Sequence, residues 1–284
     1  MKTHVLTHRG LDPSKPNYFV ESSVQAFGDQ LMRGYGLEFD VQFSSDGVPI
    51  AFHDSTLLRL TKGEDARSLD IVSSEELLGL DLNGCHLATV EEVLSLITHS
   101  PKGPISALHL KTLWQKEGSL TRLVDILAQA DRTRFFVFDV LPNTARSLKR
   151  RLPDLMLAPS VAHPYDIARF NKAVGGTLLS LSDVLSMPDD YDWVWLDEWD
   201  RKAEDGGDKT LYNAQVFGEL RASGFKIALV TPEMHATSPG LLGGEAHEDA
   251  RDHETLISRI KEILALQPDA VCTDLPDEVR ALIG

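Results

Sequence analysis

The sequence predicts an α/β protein: a TIM (β/α)8 barrel with a small insertion after strand two. Three observations predict it. Eight short runs rich in β-branched and aromatic residues recur along the chain, helix-like segments separate them, and charged residues gather at the ends of the apolar runs. Alternating strands and helices imply a parallel sheet, and eight such units in 284 residues fit a closed barrel better than an open sheet. No linker interrupts the pattern, so residues 1–284 are read as one barrel domain.

The elements follow in order. "HVLTH" (4–8) is the first strand, and a helical stretch at 22–34 ends at Gly34. Strand two covers 35–44, and the Asp46-Gly47 turn sends the chain back through an extended segment to Asp54. Residues 55–88 form the irregular insertion, read as a lid segment. Thr89 and Glu92 form a capping box for the helix at 89–99. Strand three (104–112), a helix (119–130), strand four (134–140), a helix near 143–151 and strand five (155–161) come next. After a mixed stretch, strand six (192–199) carries Trp193, Trp195 and Trp199. The first two are read as packing residues and the third as lining the pocket. A helix (211–224), strand seven (225–233), a helix (254–267) and strand eight (270–274) complete the series. The glycine-rich, acidic loop at 235–253 is read as a second lid.

The net charge of −15 argues against nucleic acid and anionic membranes as partners, because both reward Lys and Arg. Cys85 and Cys272 form no disulfide framework or zinc motif. No run approaches the roughly 18 apolar residues of a membrane span, and the first ten residues lack a signal-peptide core. A cytoplasmic protein is expected. Oligomeric state is left open.

The chemistry sits at the strand ends. Barrel active sites occupy the C-terminal ends of the strands. His8 ends strand one. Glu38 and Asp40 lie two apart on strand two and therefore point the same way, with Leu37, Phe39 and Val41 on the other face. Paired carboxylates repel each other unless a cation neutralises them, and a hard divalent ion is the natural remedy. His53 closes the hairpin, and His109 and Lys111 end strand three. Acids, histidines and cationic donors thus converge on one mouth.

"HRG" (8–10), "ESSVQAF" (21–27), "GLEFDVQFSSDGVPIAFHDSTLLRLT" (36–61), "LATVEEVL" (87–94) and "AVCTDLPD" (270–277) resemble the glycerophosphodiester phosphodiesterase family. The resemblance implies a TIM barrel, a divalent metal (Mg, Ca, Mn or Zn) and hydrolysis of a small-molecule phosphodiester. It puts His8 and His53 in the place of two catalytic histidines. One deprotonates the attacking hydroxyl and the other protonates the leaving alkoxide. It makes Arg9 and Lys111 phosphate-binding and Glu38 and Asp40 metal-binding.

Strand three departs from the family. Its usual Glu-x-Lys is "HLK" here, so His109 stands where a metal-binding glutamate is expected. Imidazole suits Mn²⁺ or Zn²⁺ better than Mg²⁺ or Ca²⁺. Three readings stand: His109 binds the metal; it binds substrate while Asp197, Glu198 or Glu233 completes the metal shell; or the metal is lost. Strand seven also lacks the family's Trp-Thr-x-Asn run, which points to a different pocket. Glu21 either supports the arginine or starts a helix. Thr273 and Asp274 end the last strand. Two rival classes remain beside the hydrolase: a phosphate-ester-binding barrel without catalysis, and a metal-dependent sugar isomerase or aldolase.

Overall fold

The computed structural model describes residues 3–101, 103–174, 177–199, 201–203, 205–234 and 248–284. Nine strands form one curled parallel sheet. They are β1 (His4–His8), β2 (Gly36–Phe43), β4 (Ser106–His109), β5 (Phe135–Phe138), β6 (Met156–Leu157), β7 (Ser160–Val161), β8 (Trp193–Leu196), β9 (Lys226–Val230) and β10 (Ala270–Thr273). Their order is β6-β5-β4-β2-β1-β10-β9-β8-β7. A tenth strand, β3 (Pro49–Ala51), runs antiparallel to β2, with Val41 opposite Ala51. It is the hairpin return that the Asp-Gly turn predicts.

The two ends of this order, β6 and β7, are halves of one stretch divided by Ala158 and Pro159. The stretch bonds to both neighbours. The Ala158 amide donates to the Val137 carbonyl at 2.9 Å, and the Trp195 amide donates to the Pro159 carbonyl at 3.0 Å. Proline has no N–H to give, so the ladder changes sides at that point. The sheet thereby closes on itself, and the nine named strands make up the eight staves of a barrel.

The connections are α1 (Val24–Met32), α2 (Ser74–Leu78), α3 (Val90–His99), α4 (Glu117–Gln129), α5 (Pro142–Arg151), α6 (Pro164–Val174), α7 (Leu181–Leu185), α8 (Ala214–Ala222), α9 (His253–Ala265) and α10 (Pro276–Ile283). α3 starts where the capping box predicts. The Glu92 amide donates to the Thr89 hydroxyl at 3.1 Å, and the Thr89 amide donates to the Glu92 carboxylate at 2.8 Å. The mixed stretch after strand five holds α6 and α7. α7 has only five residues, too few for a helical period to show.

Strand alternation sorts the apolar residues into two cores. Leu37, Phe39 and Val41 join the layer between sheet and helices. Phe136, Phe138, Trp193 and Trp195 fill the barrel interior together with Leu6 and Ala107. Phe136 stacks on Trp193 with ring centroids 4.6 Å apart, and Phe138 stacks on Trp195 at 4.0 Å. Trp199 packs on Phe170 beside α6. Gly36 opens β2 because a Cβ there would lie 2.0 Å from the Ile105 carbonyl oxygen. That close approach sets the register in which Glu38 pairs with Ala107 and Asp40 with His109.

Residues 55–88 are more ordered than the sequence suggests. Leu57, Leu69, Val72, Leu77 and Leu82 build a small apolar cluster on Ile50 and Phe52 of the hairpin return. Of the loop at 235–253, residues 235–247 lie outside the described residues. No helix among the described residues is long and apolar enough to cross a membrane.

Replacing Phe136 by Ala empties a stacked position in the barrel interior. The expected cost is roughly 3–5 kcal/mol, as for other buried aromatic truncations, read as a shift of the denaturant midpoint at constant slope.

Candidate active site

Each mouth residue is placed by the end of a strand. His8 ends β1 and is buried. Its Nδ1 lies 2.8 Å from Asp274 Oδ1, just past the end of β10, and its Nε2 lies 3.9 Å from Glu233 Oε1. Asp274 also accepts the Met234 amide at 3.1 Å. β1 and β10 are adjacent, so the two residues meet although 266 positions separate them.

Arg9 turns out of β1 with φ of 53°, a conformation rare outside glycine. Its amide donates to the Glu38 carbonyl at 3.0 Å, and its own carbonyl accepts the Ser22 amide at 2.9 Å. The turn buries the guanidinium with Nε 3.5 Å from Asp40 Oδ2 and Nη1 3.9 Å from Glu21 Oε1.

His53 follows β3. Its Nδ1 is 2.6 Å from Asp54 Oδ1. Asp54 in turn accepts Arg59 Nε at 2.7 Å, and Arg59 reaches Glu21 at 2.6 and 2.9 Å. Glu21 therefore supports both arginines. The His53 carbonyl accepts Lys111 Nζ at 2.6 Å and Gln42 Nε2 at 3.0 Å, and Gln42 is itself held by Trp114. Lys111 Nζ lies 3.3 Å from Asp40 Oδ1.

Glu38, Asp40 and His109 each offer a ligand atom, and these atoms all lie within 4.8 Å of one another. His109 uses both nitrogens: Nδ1 is 2.8 Å from Asp40 Oδ1, and Nε2 is 3.2 Å from Asp139 Oδ2. Glu38 Oε2, Asp40 Oδ2 and Asp139 Oδ1 are buried without a hydrogen-bond partner among the described residues. Two of these orphaned oxygens belong to the Glu38, Asp40 and His109 cluster, a donor set a divalent cation can use, so the site fits a metal ion.

The charges act strongly on one another. Burial and the Asp40 carboxylate raise Glu38 to about 7. Against the cost of burial, Lys111, His53 and His109 hold Asp40 well below the usual carboxylate range. Burial and Arg9 oppose protonation of His8, yet Glu233 and Asp274 raise it to about 9. His109 also reaches about 9, because Asp139 and Asp40 outweigh burial. Burial, Arg9 and Lys111 push His53 down to about 3. The two outer histidines thus differ: His8 is drawn toward the cationic imidazolium and His53 toward the neutral imidazole.

The three acids suggested as substitutes separate. Asp197 is at the mouth, where burial and Asp139 raise it to about 8. Glu233 faces His8. Glu198 turns the other way: it accepts the Leu211 and Tyr212 amides at 2.6 and 2.8 Å and pairs with buried Arg259. Neighbours on a strand point to opposite faces, so only one of Asp197 and Glu198 can reach the interior. Trp193 and Trp195 point inward, and the same parity selects Asp197. Asp139 escaped the sequence reading. Its signal, an acid closing the apolar run "FFVFD", was the one used on the other strands.

Residues 8–156 match the profile of the glycerophosphoryl diester phosphodiesterase family. This chain belongs to that family. A glycerophosphodiester phosphodiesterase from Arabidopsis thaliana is 28% identical over 129 residues, which cover 43% of this chain. The match spans only 39% of the plant protein's own length. Many solved structures share the fold, and two serve as examples. One is a Galdieria sulphuraria protein assigned to glycerophosphodiester phosphodiesterases, with a TM-score of 0.69, 18% identity and coverage of 99% of this chain and 97% of that one. The other is an Oleispira antarctica phosphodiesterase in complex with the product sn-glycerol-3-phosphate, with a TM-score of 0.63, 17% identity and coverage of 99% and 97%. The family match runs from the last residue of β1 to the first of β6 and so includes His8, Arg9, Glu38, Asp40, His53, His109 and Lys111.

Two predictions follow from these geometries. Glu198→Ala leaves the Arg259 charge buried without its main partner and is expected to cost roughly 3 kcal/mol or more in denaturant unfolding; Asp197→Asn is expected to leave stability equal or higher. The second concerns pH. His8, His109 and Asp197 keep protons in the folded chain that the unfolded chain releases at lower pH, near 6.5 for the histidines and 3.8 for the aspartate, since their folded values stand at about 9, 9 and 8. Their shifted pKa values make the unfolded state bind fewer protons, so stability falls as pH rises through them. His53 acts in the opposite sense, and only as pH falls from 6.5 toward 3. Chelator-treated protein should therefore be less stable at pH 9 than at pH 6.5 in chemical denaturation, and the difference should shrink in Asp197→Asn.

Proposed function

We propose that the protein is a metal-dependent phosphodiester hydrolase acting on a glycerophosphodiester or a related alcohol or sugar phosphodiester. One observation carries the reading. Two histidines, each held at Nδ1 by its own carboxylate, share a mouth with Arg9, Lys111 and a carboxylate pair. The family match and the product-bound Oleispira antarctica relative support the reaction class.

A divalent cation held by Glu38, Asp40 and His109 would supply positive charge against the non-bridging phosphate oxygens. The chain's own groups do the rest. Arg9 and Lys111 carry fixed positive charge beside the same carboxylates and bind the phosphate. Asp54 holds His53 Nδ1, which leaves Nε2 as a lone pair for the attacking hydroxyl. His53 takes that proton as the new P–O bond forms. Asp274 holds His8 Nδ1, so His8 donates from Nε2 to the alkoxide as the old P–O bond breaks. The attacking hydroxyl belongs to water or to a neighbouring position of the substrate; in the second case the first product is a cyclic phosphate.

A second reading, a phosphate-ester-binding barrel without turnover, is favoured by one feature: His109 stands in the family's glutamate position with both nitrogens on carboxylates. A panel of phosphodiesters with a chromogenic bis-aryl phosphate, tested with Mg²⁺, Ca²⁺, Mn²⁺ and Zn²⁺ after chelation, separates the two. Hydrolysis of at least one diester is expected, abolished by chelation and restored by one ion. His8→Ala and His53→Ala should each lower kcat by roughly 10²-fold or more with the fold retained, as expected for a positioned acid or base. Wild-type activity in either variant would overturn the assignment.

A further inference from the structure

We infer that Asp139 is a positioning residue that fixes the ring and tautomer of His109, so that Nδ1 faces the cation seat beside Glu38 and Asp40 and the site selects nitrogen-accepting ions of the manganese or zinc type over magnesium and calcium. The inference rests on the metal-binding part of the proposed reading and adds a residue outside the cation cluster itself.

Three features single out Asp139. It sits just past the end of β5, beside the strand that carries His109, and reaches His109 Nε2 at 3.2 Å. It is buried, and its Oδ1 has no hydrogen-bond partner among the described residues. Its backbone φ is 63°, a left-handed conformation that a non-glycine residue keeps only where the surroundings enforce it. Phe138, the preceding residue, stacks on the His109 ring with centroids 4.6 Å apart and planes 19° apart. One strand end therefore fixes both the plane of the ring and the partner of its far nitrogen.

The chemistry follows from the imidazole. A histidine that binds a metal must offer a lone pair at one nitrogen, and the hydrogen bond made by the other nitrogen decides which. Carboxylates commonly take that outer hydrogen bond and raise the ligand's basicity. Here the outer carboxylate is Asp139 on Nε2, and the nitrogen on the side of the carboxylate pair is Nδ1, 2.8 Å from Asp40 Oδ1, where a bound cation would displace its proton. A glutamate at position 109 would need no such brace. The exchange of an oxygen for a nitrogen donor also changes which ions bind well.

The test uses the full chain, stripped with chelator, and Mn²⁺ alone as probe. Calorimetry gives the affinity, with Mg²⁺ as comparison, and pulsed EPR detects nitrogen coupled to bound Mn²⁺. The wild type should bind Mn²⁺ more tightly than Mg²⁺ and show the nitrogen coupling. Asp139→Asn should weaken Mn²⁺ binding by roughly 10–100-fold, the range for loss of such outer partners. His109→Glu should bind Mn²⁺ without nitrogen coupling, and adding Asp139→Asn to it should change affinity by less than about threefold, since the brace has nothing left to hold. A wild type that binds no Mn²⁺, or binds it without nitrogen coupling, overturns the inference. So does an Asp139→Asn effect of the same size with and without His109, which would make Asp139 a general charge or folding residue. Failure of the hydrolase reading is distinguishable: nitrogen-coupled Mn²⁺ with no turnover of any diester removes the activity and leaves this pair standing.

Discussion

Glu38 and Asp40 stand two residues apart on the same face of one buried strand, and the rest of the mouth is arranged around that repulsion. Strand alternation forces the two carboxylates side by side, and the barrel interior denies them water. Proteins answer such a pair by protonating one member or by supplying positive charge. This chain does both. Glu38 is pushed toward protonation, while Arg9, Lys111 and His109 crowd Asp40. Glu38 Oε2 and Asp40 Oδ2 still lack a hydrogen-bond partner among the described residues, and a cation seated here would answer both.

The same surplus of acid makes the two outer histidines unlike each other. His8 lies between Asp274 and Glu233 and holds its proton. His53 feels burial and the positive charges of Arg9 and Lys111 and is pushed toward the neutral ring, even with Asp54 on its Nδ1. Identical side chains acquire acid and base character from their neighbours alone. Those neighbours come from distant parts of the chain: the stretch after β4 gives Lys111, the stretch after β9 gives Glu233, and the position just past β10 gives Asp274.

Much of this was legible in the sequence, and the reasons are specific. Strand alternation at 36–43 places Glu38 and Asp40 on one face without any coordinates, and the Asp46-Gly47 turn brings His53 back to them. The capping box at Thr89 fixed a helix start to the residue. What escaped needed pairing information. Glu198 was grouped with Asp197 until the parity of Trp193 and Trp195 separated them. Asp139 matters through a contact with His109, 30 positions away, and nothing in a lone acid announces such a partner. The division of strand five at Pro159 depends on which neighbour each half bonds, which one strand's residues do not state.

The contact between His8 and Asp274 joins the first stave to the last. During synthesis His8 emerges before its partner, with Arg9 and the carboxylates of the second strand soon after. Its ring stays without this brace until β10 has been made and docked. A chain stopped short of β10 would then carry Arg9, Glu38, Asp40, His53 and His109 while the His8 imidazole lacked the contact that orients it. The orientation of that ring is thus tied to closure of the barrel.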